Sequence, residues 1–340
     1  MSHKIRSQTF NQLSTSSTSS TSSILTPPTS AIFNFDKSTD FFQVVDPQYT
    51  PFQNPNDDRW WGSALASNGK IYAAPASGNN PAHVTEIDPT DNTIRLIPFN
   101  NPGGEGWGDS TLALNGKIYA APANASPGNP ISLLEFDPTT DTIRLIRIEN
   151  PNENNFWGAP TLALDGKIYT MSASDVNIST NVVLFDPTTD IISFSPVVNP
   201  TSERWYDAIV APNGKIYALP LSGNTSARLL VFDPIFGTSR LIPFNNPDGG
   251  RWYGSTLAPN GKIYGVPQNG NTAAVLLEID PTTDSTRFIP FNNPDGERWW
   301  GSTLAPNGKI YGVPQSGNTS TVLLEIDPTD NTTRLIPFNN

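Results

Sequence analysis

The sequence predicts an all-β fold, a β-propeller of four-stranded antiparallel blades. Three observations carry this. The motif Asn-Gly-Lys-Ile-Tyr begins at Asn68, Asn115, Asn213, Asn260 and Asn307, and recurs as Asp-Gly-Lys-Ile-Tyr from Asp165, at steps of 47, 50, 48, 47 and 47 residues. A fixed period in this range marks a repeat architecture. Each period holds four short apolar segments punctuated by Asn, Gly, Asp and Pro, which is the content of one propeller blade. The segments are apolar on both faces, as strands stacked between neighbouring sheets must be. Six full repeats of about 47 residues fill residues 57–340, so six blades are favoured. The alternative is a seven-bladed ring with an incomplete blade. Residues 31–56 suggest it, because Ile32-Phe33-Asn34-Phe35-Asp36 and Phe41-Phe42-Gln43-Val44-Val45 resemble the third and fourth strands of a further unit. The favoured arrangement packs this N-terminal hairpin on the six-bladed ring.

In the last unit, Trp299-Trp300-Gly301-Ser302-Thr303-Leu304-Ala305 reads as the first strand. Pro306-Asn307-Gly308 is a tight turn, and Asn-Gly predicts type I′ geometry with positive φ at both central residues. Lys309-Ile310-Tyr311-Gly312-Val313 is the second strand. Pro314-Gln315-Ser316-Gly317-Asn318 is a loop, and Thr321-Val322-Leu323-Leu324-Glu325-Ile326 is the third strand. Asp327-Pro328-Thr329-Asp330 suits a type I turn, and Thr333-Arg334-Leu335-Ile336-Pro337-Phe338 completes the blade. A lysine opens each second strand (Lys70, Lys117, Lys167, Lys215, Lys262, Lys309) and an aspartate closes each third strand (Asp88, Asp137, Asp186, Asp233, Asp280, Asp327). Cross-strand Lys–Asp pairs are the expected meaning.

Composition narrows the function. The formal net charge of −11 disfavours phosphate backbones, so no nucleic-acid partner is expected. No stretch approaches the ~18 consecutive apolar residues of a membrane-spanning helix. The absence of cysteine excludes disulfides and thiolate metal sites. Residues 1–30 are rich in Ser and Thr and hold no Asp or Glu. They lack the apolar core of a secretory signal, so an intracellular protein with a tail or arm is expected, with an organelle transit peptide as the other reading.

The pattern Asn-Gly-Lys-Ile-Tyr followed by Leu-Leu-Glu-Ile-Asp-Pro-Thr-Thr-Asp resembles YVTN and NHL propeller repeats and those of streptogramin-lyase-type propellers, across residues 31–340. The resemblance implies the propeller fold and no single activity. Lyases of that type depend on an active-site histidine and a divalent metal. Here the only histidines are His3 and His83, and His83 has no evident acidic neighbourhood. No enzyme, metal or cofactor is therefore expected. The Asp-Pro-Thr-Thr-Asp turns lack the spacing of a calcium loop. A carboxylate-only glycosidase would have to use Glu105, Glu153, Glu203 or Glu297, which sit at similar repeat positions.

All eight tryptophans lie in one loop motif: Trp60, Trp61, Trp107, Trp157, Trp205, Trp252, Trp299 and Trp300. Arg59, Arg204, Arg251 and Arg298 precede them, with Glu105, Glu203 and Glu297 close by. The loop between successive blades shares a face with the loop between second and third strands, opposite the Asn-Gly and Asp-Pro turns. Aromatic rings, arginine and carboxylate are the tools of a sugar site, and six-bladed fungal fucose lectins combine Arg, Glu and Trp in this way. The other meaning is packing of the indoles between blades. The expected function is a non-enzymatic binding module presenting these loops to a glycan or protein partner. The alternatives are a structural or assembly protein tethered through residues 1–56, and a lyase- or hydrolase-type enzyme.

Overall fold

The computed structural model describes residues 54, 58–76, 78–124, 131–149, 157–171, 179–199, 203–221, 226–246, 248–268, 273–315 and 321–338. The tail at 1–30, the half-blade at 31–56 apart from Asn54, and Glu153 lie outside the described residues. Six four-stranded antiparallel sheets span 64–99, 106–148, 161–198, 205–245, 252–292 and 299–338. Each is a meander with its strands in chain order, so the chain is a six-bladed β-propeller. The last blade holds Trp299–Leu304, Ile310–Pro314, Thr321–Asp327 and Thr332–Phe338.

The first strands run closest to one another. A Cβ on Gly158 would lie 2.1 Å from the Tyr206 carbonyl oxygen, and one on Gly254 would lie 2.5 Å from the Gly301 Cα. Only glycine permits such backbone approach. Farther out, the blades are joined by side chains. Five apolar clusters fill the joints between blades 1 and 2, 2 and 3, 3 and 4, 4 and 5, and 5 and 6. In each joint a tyrosine of one blade meets the aromatic or aliphatic side chains of the next. Tyr72 and Phe136 stand 4.8 Å apart between ring centroids, and Tyr119 and Phe185 stand 5.0 Å apart. This two-sided packing is why the strands are apolar on both faces.

The Asn-Gly turns differ from the expected type I′ geometry. Only the glycine takes positive φ, 81° at Gly308. The Gly308 N–H donates to the Ala305 carbonyl at 3.0 Å and the Ala305 N–H to the Lys309 carbonyl at 2.8 Å. This is a three-residue loop, a type I turn closed by a left-handed glycine. It leaves the Asn307 side chain in place to accept the Lys309 N–H and to donate to the Tyr311 hydroxyl, both at 3.0 Å. Asp165 serves the same turn as an acceptor from both the Lys167 N–H and the Tyr169 hydroxyl.

The repeated lysines also differ from expectation. In four of the six blades the nearer partner is a glutamate two residues before the aspartate, a position held by Leu184 and Val231 in blades 3 and 4. Lys70 lies 2.9 Å from Glu86 and 3.4 Å from Asp88, and Lys309 keeps the expected aspartate, Asp327, at 3.7 Å. Lys117, Lys262 and Lys309 reach Glu135, Glu278 and Glu325 at 2.9, 2.8 and 2.9 Å. The register sets this, because Glu86 stands directly opposite Tyr72 and Arg95. Asp88 instead caps its own turn, accepting the Thr90 N–H and hydroxyl.

Candidate binding face

The tryptophan loops are braced from within. Asn293 donates to the Glu297 carbonyl at 2.9 Å and accepts the Glu297 N–H at 3.0 Å. Asn101 and Glu105, Asn199 and Glu203, Asn246 and Gly250, and Asn54 and Asp58 repeat this pair of bonds. Glycine with positive φ precedes the acid at Gly104 and Gly296. Leu221, Gln268 and Gln315 each donate a backbone N–H at 2.8 Å to the carbonyls of Arg204, Arg251 and Arg298. The loop between blades is thereby tied to the loop between second and third strands. The asparagine brace was not singled out from sequence, although Asn-Pro four residues before the acid was its visible sign.

Six of the eight tryptophans are interior. Trp60, Trp107, Trp157, Trp205, Trp252 and Trp299 are between 0% and 9% exposed. Their indole N–H groups point inward too. Those of Trp60, Trp107, Trp205, Trp252 and Trp299 donate to the third-strand carbonyls of His83, Ser132, Arg228, Val275 and Val322 at 2.9–3.3 Å. Each ring thus staples its first strand to its third, and satisfies its polar handle in doing so. Arg59, Arg251 and Arg298 lie exposed beside them, and Arg204 is half-buried.

Acids stand two positions before Trp60, Trp107, Trp205 and Trp299, and all four are buried. Asp58 takes His83 Nδ1 at 2.6 Å, so His83 has the acidic partner that the sequence reading did not give it. Glu105 accepts the Ser132 N–H at 2.6 Å and its hydroxyl at 3.1 Å. Both carboxylate oxygens of Glu297 are buried without a hydrogen-bond partner. Burial raises the pKa of Glu297, with the Asp295 charge adding to it. Burial raises Glu105 as well, against the bonds from Ser132.

The residue after each interior tryptophan breaks the six-fold repeat: Trp61, Gly108, Gly158, Tyr206, Tyr253 and Trp300. Tyr206 stacks on Tyr253 at 4.5 Å and Tyr253 on Trp300 at 5.3 Å. The glycines of blades 2 and 3 make room for Tyr206, whose hydroxyl would lie 3.0 Å from a Cβ on Gly108. The aromatic arc ends on Trp300, which is half-buried; Trp61, at the matching position of blade 1, is 38% exposed. Trp300 Nε1 has no acceptor. Asp207, buried behind the arc, accepts the Ser255 N–H at 2.5 Å and its hydroxyl at 3.1 Å. The dipeptides Trp-Trp, Trp-Tyr and Trp-Gly were the sequence signal for this asymmetry.

Among the described residues, no cluster of three or more His, Cys, Asp or Glu side chains could hold a metal ion, and no helix is long and apolar enough to cross a membrane.

No protein-family model matches the chain, and no curated protein does. Solved structures match. The periplasmic gluconolactonase PpgL of Pseudomonas aeruginosa is similar at 14% identity and a TM-score of 0.60, covering 81% of this chain and 83% of that one. YCF48 bound to a D1 peptide is similar at 11% identity and a TM-score of 0.54, covering 84% and 83%. The extracellular domain of the two-component system BT3049 from B. thetaiotaomicron is similar at 12% identity and a TM-score of 0.56, and this chain spans only 34% of it. The likeness is one of fold. These propellers include binding domains and a lactonase, so they leave the activity of this chain open.

Proposed function

We propose that this propeller is a non-enzymatic binding module whose Arg–Trp loop face takes a protein partner. The observation that carries the reading is the aromatic character of this face: Tyr206, Tyr253 and Trp300 stack in a row, Trp61 is accessible at the matching position of blade 1, and Arg59, Arg251 and Arg298 are exposed on the same loops. Exposed Trp and Arg are the residues most enriched at protein-binding hot spots. The asparagine braces hold the loops in place before a partner arrives, which limits the ordering cost of binding. Burial of Glu105, Glu203 and Glu297 with the interior tryptophans leaves these carboxylates and indoles poorly placed for a repeated sugar site. A glycan stacked on Trp61 is the second reading, because that ring retains an open apolar face.

The test is binding of the purified protein to an acidic peptide array and to a glycan array, with Trp61→Ala and Arg298→Ala variants alongside. The expected result is peptide binding that each variant weakens at least about tenfold, the scale of a hot-spot residue. Glycan binding lost in Trp61→Ala would favour the second reading. Binding to either array that both variants leave unchanged contradicts the proposed face.

A further inference from the structure

Five joints of the propeller are built alike, and the joint between blades 6 and 1 is not. Among the described residues no apolar cluster spans it. The tyrosine that each blade turns to its successor is at most 1% exposed at Tyr72, Tyr119, Tyr169, Tyr217 and Tyr264. Its counterpart Tyr311 in blade 6 is half-buried, as are Val313 and Leu323 on the same face. The opposite side of the joint matches. Ile118, Ile168, Ile216, Ile263 and Ile310 are at most 3% exposed, whereas Ile71 and Ile87 of blade 1 are half-buried.

The polar clamp is missing there too. Arg95 and Arg144 reach forward to the left-handed turn residues Asp141 and Asp190 of the next blade at 2.5 and 2.6 Å, and Arg240 reaches Asp284 in the same way. In blade 3 the arginine is replaced by Ser193 and the acid of the next blade by Gly237, so both partners change together. Arg334 of blade 6 bonds Glu325 of its own blade, and among the described residues it meets no acid of a neighbour.

The chain just before blade 1 carries the parts that fit. Asn54 braces Asp58 by the two bonds that Asn101, Asn199, Asn246 and Asn293 make. Each of those asparagines follows the fourth strand of the preceding blade by one or two residues, after Phe99, Val198, Asn245 and Asn292. Phe52 stands eight residues before Trp60, as Phe99, Phe244 and Phe291 stand before Trp107, Trp252 and Trp299. Those phenylalanines pack on the tryptophans at 5.7–5.9 Å across the joint. Farther upstream, Phe33-Asn34-Phe35-Asp36 with Asp40 reproduces the spacing of Leu134-Glu135-Phe136-Asp137 with Asp141.

We propose that the segment 31–53 occupies the joint between blades 6 and 1, with Phe52 against Trp60 and Asp40 accepting Arg334. The segment is continuous with blade 1, so its local concentration at that joint far exceeds that of any second chain. It presents apolar side chains to two half-covered apolar faces and an acid to an arginine that no neighbouring blade clamps.

The chain has no cysteine, so pairs introduced into the full-length protein report contacts directly. Three double variants are compared under a short bismaleimide: Asp40→Cys with Arg334→Cys, Asn92→Cys with Arg334→Cys, and Arg144→Cys with Asp190→Cys as the positive control. The Asp40/Arg334 pair is expected to cross-link within one chain, to at least half the yield of the control. The Asn92/Arg334 pair, which reports direct closure of blade 6 on blade 1, is expected to stay below a tenth of it. Efficient Asn92/Arg334 cross-linking overturns the proposal. So does an Asp40/Arg334 pair that fails to react, or that joins two chains, while the control reacts.

Discussion

The two ends of each blade are made of different chemistry. At the turn end, four of the six blades repeat one polar cluster, a glutamate paired with a lysine and an arginine. Glu135 takes Lys117 at 2.9 Å, Tyr119 at 2.9 Å and Arg144 at 2.6 Å, and Arg144 also reaches Asp190 of the next blade. At the loop end, the buried acids meet a histidine, a serine or nothing, and the residue after the tryptophan is aromatic on some blades and glycine on others. Satisfaction at one end and irregularity at the other separate scaffold from site. A group that completes its bonds inside the fold has little left for a partner.

The largest expected effect tests whether the interior tryptophans are scaffold. Trp205→Ala should cost about 3–5 kcal/mol of unfolding free energy by chemical denaturation, the usual cost of an emptied aromatic site. Trp61→Ala should stay within about 0.5 kcal/mol of the parent, as an exposed substitution does. Equal costs would erase the distinction between the two rings.

Much of this was legible in the sequence. The period of the Asn-Gly-Lys-Ile-Tyr motif identified the blades, and the spacing of turn residues identified the strands, because each hairpin must supply a left-handed glycine, asparagine or aspartate. The partner of the lysine was not legible. Glu86 and Asp88 lie within reach of one ammonium, and only the register opposite Tyr72 and Arg95 decides in favour of Glu86. The roles of the tryptophans were not legible either. Adjacent residues of a strand point to opposite sides, so Trp299 staples its blade while Trp300 joins the aromatic arc. Which of the two turned outward depended on blade packing that one strand does not encode.

The next effect probes the turn end. Glu135→Ala should destabilise by about 2–3 kcal/mol, since it removes the acceptor of three charged or hydroxyl donors at once. The two ends should then answer pH with opposite signs. At the turn end, hydrogen bonding by Arg95 pulls Glu86 from 4.5 down to about 2. Burial opposes the same shift at Glu135, Glu278 and Glu325, yet their Arg and Lys partners leave all three lowered. A lowered folded pKa contributes stability that is present above about 4.5 and is lost as pH falls toward 2. Glu105 and Glu297 are raised. They cost stability at neutral pH, and that cost disappears as pH falls through their folded pKa values toward 4.5. Glu135→Gln should therefore lower the denaturation midpoint at pH 7, by a margin that shrinks as pH falls below 4.5. Glu297→Gln should raise it at pH 7 and become neutral near pH 4.

The smallest effect is Glu297→Leu, which exchanges a buried carboxylate without hydrogen bonds for an apolar side chain. It should be neutral or stabilising by up to about 1 kcal/mol. The same change at Glu105, where Ser132 supplies two bonds, should destabilise by about 1–3 kcal/mol.

The most direct measurement is titration of one bound peptide or glycan against two variants, Trp61→Ala at the loop end and Lys309→Ala at the turn end. If the loop end is the site, Trp61→Ala weakens binding at least about tenfold and Lys309→Ala leaves the dissociation constant unchanged. Weakening by Lys309→Ala with Trp61→Ala unchanged would place the site on the turn face and contradict the account.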